Sequence, residues 1–204
     1  MDRTALSHGC IDGDTLARWP DSQPVSGWAI VPHNSTAEFA VRNFGVRTVH
    51  GVIPITDATV VVNGDPFSTD TDEQRSGGVP EVTAVRMTLN LAAIDTANSR
   101  RDKDLRARRL LDTEQHPVLA FDCTDVRTGP DGWQLNGTLS ARGLSAPVTV
   151  HAVLSSGPVR DLITVRATTK FDRRALGVSA PRLMIGHEVV VDVCAQFRRV
   201  PVGG

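Results

Sequence analysis

From Trp28 onward, apolar and polar residues alternate with period two over most of the chain, and each such run predicts a half-buried β-strand. Over 36–43, Ala37, Phe39 and Val41 fall on one face, with Glu38 and Arg42 on the other. A strand over 47–53 follows Gly45, Pro54 marks a break, and 59–63 resumes before the turn signal Asn63-Gly64-Asp65-Pro66. Residues 81–93 keep Val85, Met87, Leu89 and Leu91 in phase, and runs over 118–126, 133–141, 148–154, 159–171 and 188–197 complete the set. Gly129-Pro130-Asp131-Gly132 and Ser155-Ser156-Gly157-Pro158 have the turn chemistry that joins antiparallel neighbours. The aperiodic polar stretch 67–79 predicts a long loop. Its Asp70, Asp72 and Glu73 lack the offsets of a calcium loop.

One span departs from this pattern. Over 97–112 the period lengthens, Asp102/Arg106 and Asp104/Arg108 form acid-before-base pairs at i,i+4, and Leu105, Leu110 and Leu111 supply an apolar side. A helix over about 98–111 is predicted, with Asp95 or Asn98 as its cap and His116-Pro117 as its stop. The fold class is therefore all-β: eight or nine antiparallel strands with one inserted α-helix. Strands of this length pack as two sheets or close on themselves, and an eight-stranded barrel is filled by side chains or holds one small ligand. Phe39, Val41, Leu89, Leu91, Phe121, Leu135, Leu139, Val150, Ile163, Val165, Phe171 and Val193 share the inward phase. Ala37, Ala141, Ala152, Ala167 and Ala195 occupy the same columns, so the pattern admits a cavity as well as a packed core.

Composition narrows the function classes. With 204 residues, 40% hydrophobic and 22% charged, the chain fits one domain over 27–200, an aperiodic arm over 1–26 and a tail over 201–204. A net charge of -1 gives no global attraction to nucleic acid, and neither a membrane span nor a signal-peptide run is visible, so a cytoplasmic protein is expected. Leu16 and Trp19 of the arm are candidates to pack over a barrel mouth. Cys10, Cys123 and Cys194 are odd in number and widely spaced, which suggests neither disulfides nor zinc; Cys123 is read as core and Cys194 as outward-facing. The six histidines lie in separate segments without metal-like spacing, and no hydrolase, zincin or phosphate-loop motif occurs. No catalytic residue, metal or cofactor is expected. The cluster Arg100, Arg101, Lys103, Arg106, Arg108 and Arg109, interleaved with Asp102 and Asp104, reads as a solvated helix face.

Several blocks, in order, resemble the YceI-like, polyisoprenoid-binding family: Trp28, Pro32 and Asn34-Ser35, then Phe39-Ala40-Val41-Arg42-Asn43, Gly45 and Gly51. Asp95-Thr96, Asn98, Arg101-Asp102 and Leu105 follow, then Asp112, Pro117 and Phe121. Leu139, Arg142-Gly143-Leu144-Ser145, Pro147-Val148, Phe171-Asp172-Arg173 and Gly177 complete the match, over about 28–197.

The resemblance implies an antiparallel, eight-stranded, lipocalin-like barrel with one inserted helix, holding an elongated apolar ligand such as an isoprenoid chain. It brings no catalytic residues, and it carries homodimerisation as an expectation. The ligand-binding set expected on this basis combines an apolar lining, Phe39, Val41, Leu89, Leu91, Phe121, Leu135, Leu139 and Phe171, with polar groups at a mouth, Asn34, Ser35, Arg42, Asn43 and Arg101. The chain departs from the family pattern in having His33 before Asn34-Ser35, Asn43 where a histidine is common, and Ala146 in place of a basic residue before Pro147. The expected function is a cytoplasmic, non-enzymatic carrier or sequestering protein for a prenyl or similar lipid. Two alternatives stand beside it: an enzyme using the same cavity, marked by an inward Asp125 facing a histidine, and a structural module with a filled barrel.

Overall fold

The computed structural model describes residues 26–43, 46–63, 81–159, 162–180 and 185–200. Residues 1–25 of the arm, the loop over 67–79, residues 64–66 of the first turn signal and the tail 201–204 lie outside the described residues. In chain order the strands are β1 (Ser26–Ile30), β2 (Thr36–Asn43), β3 (Arg47–Ile53), β4 (Ile55–Asn63) and β5 (Glu81–Asn90). After the helix α1 (Ser99–Arg106) come β6 (Val118–Gly129), β7 (Gly132–Ala141), β8 (Leu144–Val159), β9 (Leu162–Asp172) and β10 (Ile185–Val200).

All strand pairings are antiparallel, and eight strands close in the order β1-β4-β5-β6-β7-β8-β9-β10, with β10 returning to β1. Closure leaves these eight strands without a free edge, as an all-antiparallel barrel requires. The sixteen-residue β10 is long enough to serve two neighbours: its first part pairs with β2 and its last part with β1. β1 and β2 are thus one barrel strand interrupted by the 3₁₀ turn Pro32–Asn34. Ser35 repairs the ladder at the interruption, because its hydroxyl donates to the Val31 carbonyl (2.9 Å) and accepts from the Gln196 amide (3.0 Å). Pro54 breaks the facing strand at the same level, between β3 and β4. β3 pairs with β2 and with no other strand among the described residues, and the chain between β5 and β6 meets it at Val52. Val52 and Asp95 exchange backbone hydrogen bonds of 2.7 and 3.0 Å to join it to the wall.

The inward phase read from the sequence is the observed one. Phe39, Leu89, Leu91, Phe121, Leu135, Leu139, Val150 and Ile163 are buried, while Val41, Val165, Phe171 and Val193 pack partly buried against the same core. Two rings lie on glycines. A Cβ at Gly51 would come within 2.5 Å of the Phe39 ring, and one at Gly137 within 2.6 Å of the Phe121 ring, so each glycine opens the seat its aromatic neighbour occupies. Cys123 is buried and donates to the carbonyls of Asp125 and Asn136 beside a β6 bulge; burial pushes its thiol pKa up, which makes it unreactive. Cys194 is half-buried and out of the inward phase.

Several boundaries differ from the sequence reading. Ser155-Ser156-Gly157-Pro158 is not a turn but part of β8, carried there through register shifts, so that Val159 ends β8 and pairs with Leu162. Ser26–Ile30 is a strand in its own right, and β5 stops at Asn90, whose side chain accepts from the Ala92 amide and starts a 3₁₀ turn. The helix covers only Ser99–Arg106. Its expected i,i+4 pairs do not form: Asp102 turns inward, Arg106 donates to the Ile94 carbonyl, and Asp104 binds Arg109 instead. After Ala107 the chain leaves the helix, reaches φ 50° at Asp112, and so brings Leu110 down onto the barrel, where it is buried.

Candidate functional site

Alternation on eight strands leaves the barrel interior lined almost wholly by carbon. A cavity of about 120 Å³ is enclosed by residues of β1 and β4–β10, among them Trp28, Met87, Phe121, Leu135, Phe171 and Phe197. Thr168 and Thr169 are the polar residues of its lining. At roughly 30 Å³ per water, the share each has in the liquid, it has room for about four such groups. The alanines explain the space: Ala152, Ala167 and Ala195 all line it.

The end of the barrel under α1 is built differently, from polar groups holding one another. Asn98 caps the helix by accepting from the Arg101 amide (3.0 Å). The buried Asp102 accepts from the Thr96 amide (3.0 Å) and hydroxyl (2.5 Å), and Arg101 returns to the Thr96 hydroxyl and carbonyl (both 2.7 Å). The Asp-Thr-x-Asn-x-x-Arg-Asp block is therefore a clamp that fixes the helix to the bridge at Asp95. Two further arginines latch the same end. Arg142, at φ 55° in the β7–β8 turn, donates to the carbonyls of Leu110 and Gly177. Arg173 is buried and donates to the carbonyls of Gly186, Val178, Ala180 and Ile185; burial lowers its pKa from the ordinary guanidinium value. Beside it, the Arg174 side chain holds the Asp172 carboxyl well below the usual carboxylate range.

Between α1 and the β2–β3 hairpin lies a second chamber, of about 380 Å³. Phe39, Val41, Val49, Leu105, Leu110 and Ile185 form its apolar part, and Asn43, Asn98, Arg100, Arg101, Asp104 and Arg109 its polar part. The two chambers adjoin at one register pair, since Phe39 lines this one while its β10 partner Val191 lines the barrel cavity.

The expected site residues thus divide. Leu89, Phe121, Leu135, Leu139 and Phe171 line the barrel cavity; Phe39, Val41, Asn43 and Arg101 line the helix-side chamber. Leu91 is buried in the core but lines neither. Asn34, Ser35 and Arg42 do not join a common mouth. Asn34 donates to the Gln196 side chain and Ser35 stitches the broken strand, while Arg42 is exposed and lines an outer groove with His187 and Glu188. Asn34 and Asn43 stand at opposite ends of β2, so alternation alone could not show that they are apart in function. Arg142 and Arg173 were not read as site-forming residues. The available signal was an arginine just past a strand end and a few residues from a glycine, in blocks already noted. Ala146 is buried, so the basic residue that the family pattern leads one to expect there would meet the core of this chain.

Asp125 is exposed and accepts from Asn136, and no histidine lines the cavity. Among the described residues, no three histidine, cysteine or acidic side chains are grouped to hold a metal ion, and no helix is long and apolar enough to cross a membrane.

Comparison with known proteins agrees with this architecture. Among solved structures, BcnA of Burkholderia cenocepacia superposes with a TM-score of 0.65 at 14% identity, covering 82% of this chain and 98% of that one. A polyisoprenoid binding domain from Saccharophagus degradans gives 0.62 at 13% identity, covering 85% and 98%. In sequence, a UPF0312 protein of Pectobacterium atrosepticum is 28% identical over 117 residues, 57% of this chain and 54% of that protein. A UPF0312 protein of Azotobacter vinelandii is 35% identical over 74 residues, 36% and 38% of the two chains. The matched stretches span about half or less of these curated relatives. The model of the YceI-like domain matches residues 28–197, from the first barrel strand to the last, and the chain belongs to the YceI-like family.

Proposed function

We propose that this protein binds the apolar chain of a polyisoprenoid or similar lipid inside its barrel and serves, without catalysis, as a cytoplasmic carrier or sequestering protein. The observation that carries the reading is the barrel cavity, whose lining is hydrocarbon apart from two threonines, two indole rings and one thioether. Such a lining gives affinity for a chain and has little with which to perform chemistry. The name of the Saccharophagus domain, which has the same fold, points in the same direction. About four buried carbons yield roughly 3 kcal/mol at ~0.8 kcal/mol per CH₂. Association costs about 4–15 kcal/mol, so a chain of that length alone is insufficient, and useful affinity requires either a longer chain that parts the interior side chains or a head group held as well. Homodimerisation belongs to the same reading.

Native mass spectrometry of the purified protein, with organic extraction and add-back of prenyl compounds, tests it. A co-purifying lipid, or a rise in melting temperature with added prenol, is the expected result. An empty protein that no prenyl or fatty acyl compound stabilises would sink the proposal.

A further inference from the structure

We infer that the barrel end carrying α1 is a docking surface for an anionic lipid bilayer, with Val46, at the tip of the β2–β3 hairpin, set into the head-group layer. The inference goes beyond the barrel-ligand reading and does not rest on it.

The distribution of charge comes first. The described residues of 39–53, 90–118, 141–145 and 170–188, which build this end, hold twelve basic and seven acidic residues. The rest of the chain holds ten basic and sixteen acidic. A net charge of -1 thus conceals an excess of five positive charges at the helix end. Those charges are also free to act. Arg42 and Arg47 of the hairpin, with Arg100, Lys103 and Arg108 of α1 and its exit, are exposed and have no hydrogen-bond or ion-pair partner among the described residues. Three of the acids are already engaged: Asp102 is buried on Thr96, Asp104 is bound by Arg109, and Asp172 by Arg174. Helix and hairpin stand side by side, since Val41 and Val49 of the one and Arg100 and Leu105 of the other line the same chamber.

Val46 is the independent sign. It is 87% exposed, and the next most open large hydrophobic side chain among the described residues, Leu144, is 47% exposed. It lies in the turn that follows the last pair of the hairpin, Asn43 with Arg47. A lone exposed valine is ordinary, and α1 alone, with its interleaved acids, is a solvated face. Together they have the arrangement of a bilayer contact, in which cations meet anionic head groups and an apolar tip reaches the acyl boundary. A nucleic acid would use the charges and leave the valine without a role.

Flotation of the full chain with phosphatidylcholine vesicles, with and without about a third of phosphatidylglycerol, reads the docking at low and high salt. The anionic vesicles are expected to bind at least tenfold tighter than the neutral ones, with the advantage shrinking as salt rises. Arg100→Glu with Lys103→Glu should weaken that binding about tenfold. Arg127→Glu with Arg198→Glu makes the same change of charge on exposed residues near the opposite ends of β6 and β10, and should weaken it about threefold at most. Melting curves check that both double variants fold. Val46→Trp puts an indole at the tip, and its emission should move to the blue on anionic vesicles beyond any shift of the wild-type chain. No preference for anionic vesicles, an equal loss from both double variants, or a tip indole that keeps its aqueous emission on bound vesicles overturns the proposal. A short DNA duplex that binds more tightly than the vesicles overturns it too, and makes the surface a nucleic-acid one. None of these readouts requires a lipid inside the barrel, so failure here leaves the barrel reading standing, and failure there leaves this one.

Discussion

The barrel cavity and the end beneath α1 are made by opposite physics, although they share a wall. In the cavity, position is dictated by alternation and packing, and any apolar side chain of similar volume would serve nearly as well. At the helix-capped end, position is dictated by directed hydrogen bonds, in which Arg173 alone satisfies four backbone carbonyls. A tolerant lining accepts many apolar shapes, and an end held by fixed donors keeps a single backbone arrangement.

The largest expected effect lies on the directional side. Arg173→Ala should destabilise the protein by about 3–5 kcal/mol, because buried carbonyls lose their donor, whereas a packing change of similar size in the cavity costs less. Equilibrium denaturation in urea measures it; a loss under 1 kcal/mol would mean that the two ends are not held differently. Next comes the tolerant side. Ala152→Leu and Ala167→Leu fill space that is already empty, so stability should hold within about 1 kcal/mol while binding of a ten-carbon chain falls tenfold or more. A variant that melts normally and binds normally would place the chain outside the barrel.

The smallest effect concerns Asp172 and Arg174 at the surface of the latched end. The Asp172 carboxyl is held below its ordinary range by Arg174, so its contribution is present above the ordinary carboxylate pKa and disappears as pH falls below it. Asp172→Asn keeps an acceptor for the Arg174 amide and removes the charge. The stability gap between wild type and variant should be small and constant near neutrality, and should close in acid. Being exposed, the pair is screened, and a gap that widens in acid would reverse the assignment.

This division also governs what was legible in the sequence. Period-two alternation is a property of packing, and it located β2 and β3 to the residue and put Leu89, Phe121, Leu135, Leu139 and Phe171, which line the cavity, in the inward phase. The latched end depends on where a side chain's hydrogen bonds go, and periodicity is silent on that. Asp102 and Asp104 looked like partners for Arg106 and Arg108 on a solvated helix, but a buried threonine claims one and Arg109 the other. Ser35 looked like a ligand contact because it sits in a family block, yet its hydroxyl completes a strand. Ser155-Ser156-Gly157-Pro158 has turn composition, and tertiary pairing with β9 overrides it. The family resemblance located these blocks, and hydrogen bonding shows that Ser35, Thr96, Asp102, Arg142 and Arg173 among them brace the barrel.

The join between β10 and the β1–β2 strand has a consequence for how the chain reaches this shape. Ser35 and Gln196, which stitch that join, are 161 positions apart, whereas β5 to β9 mostly meet as neighbours in sequence. Contacts between distant positions carry the greater loop-closure entropy and form after local ones. The meander of hairpins is therefore expected to set first and the seam to close last, so that the interior becomes a closed space only late in folding. On the proposed reading, a lipid present at that moment would meet an unsealed trough, and filling it and closing the protein would be one event.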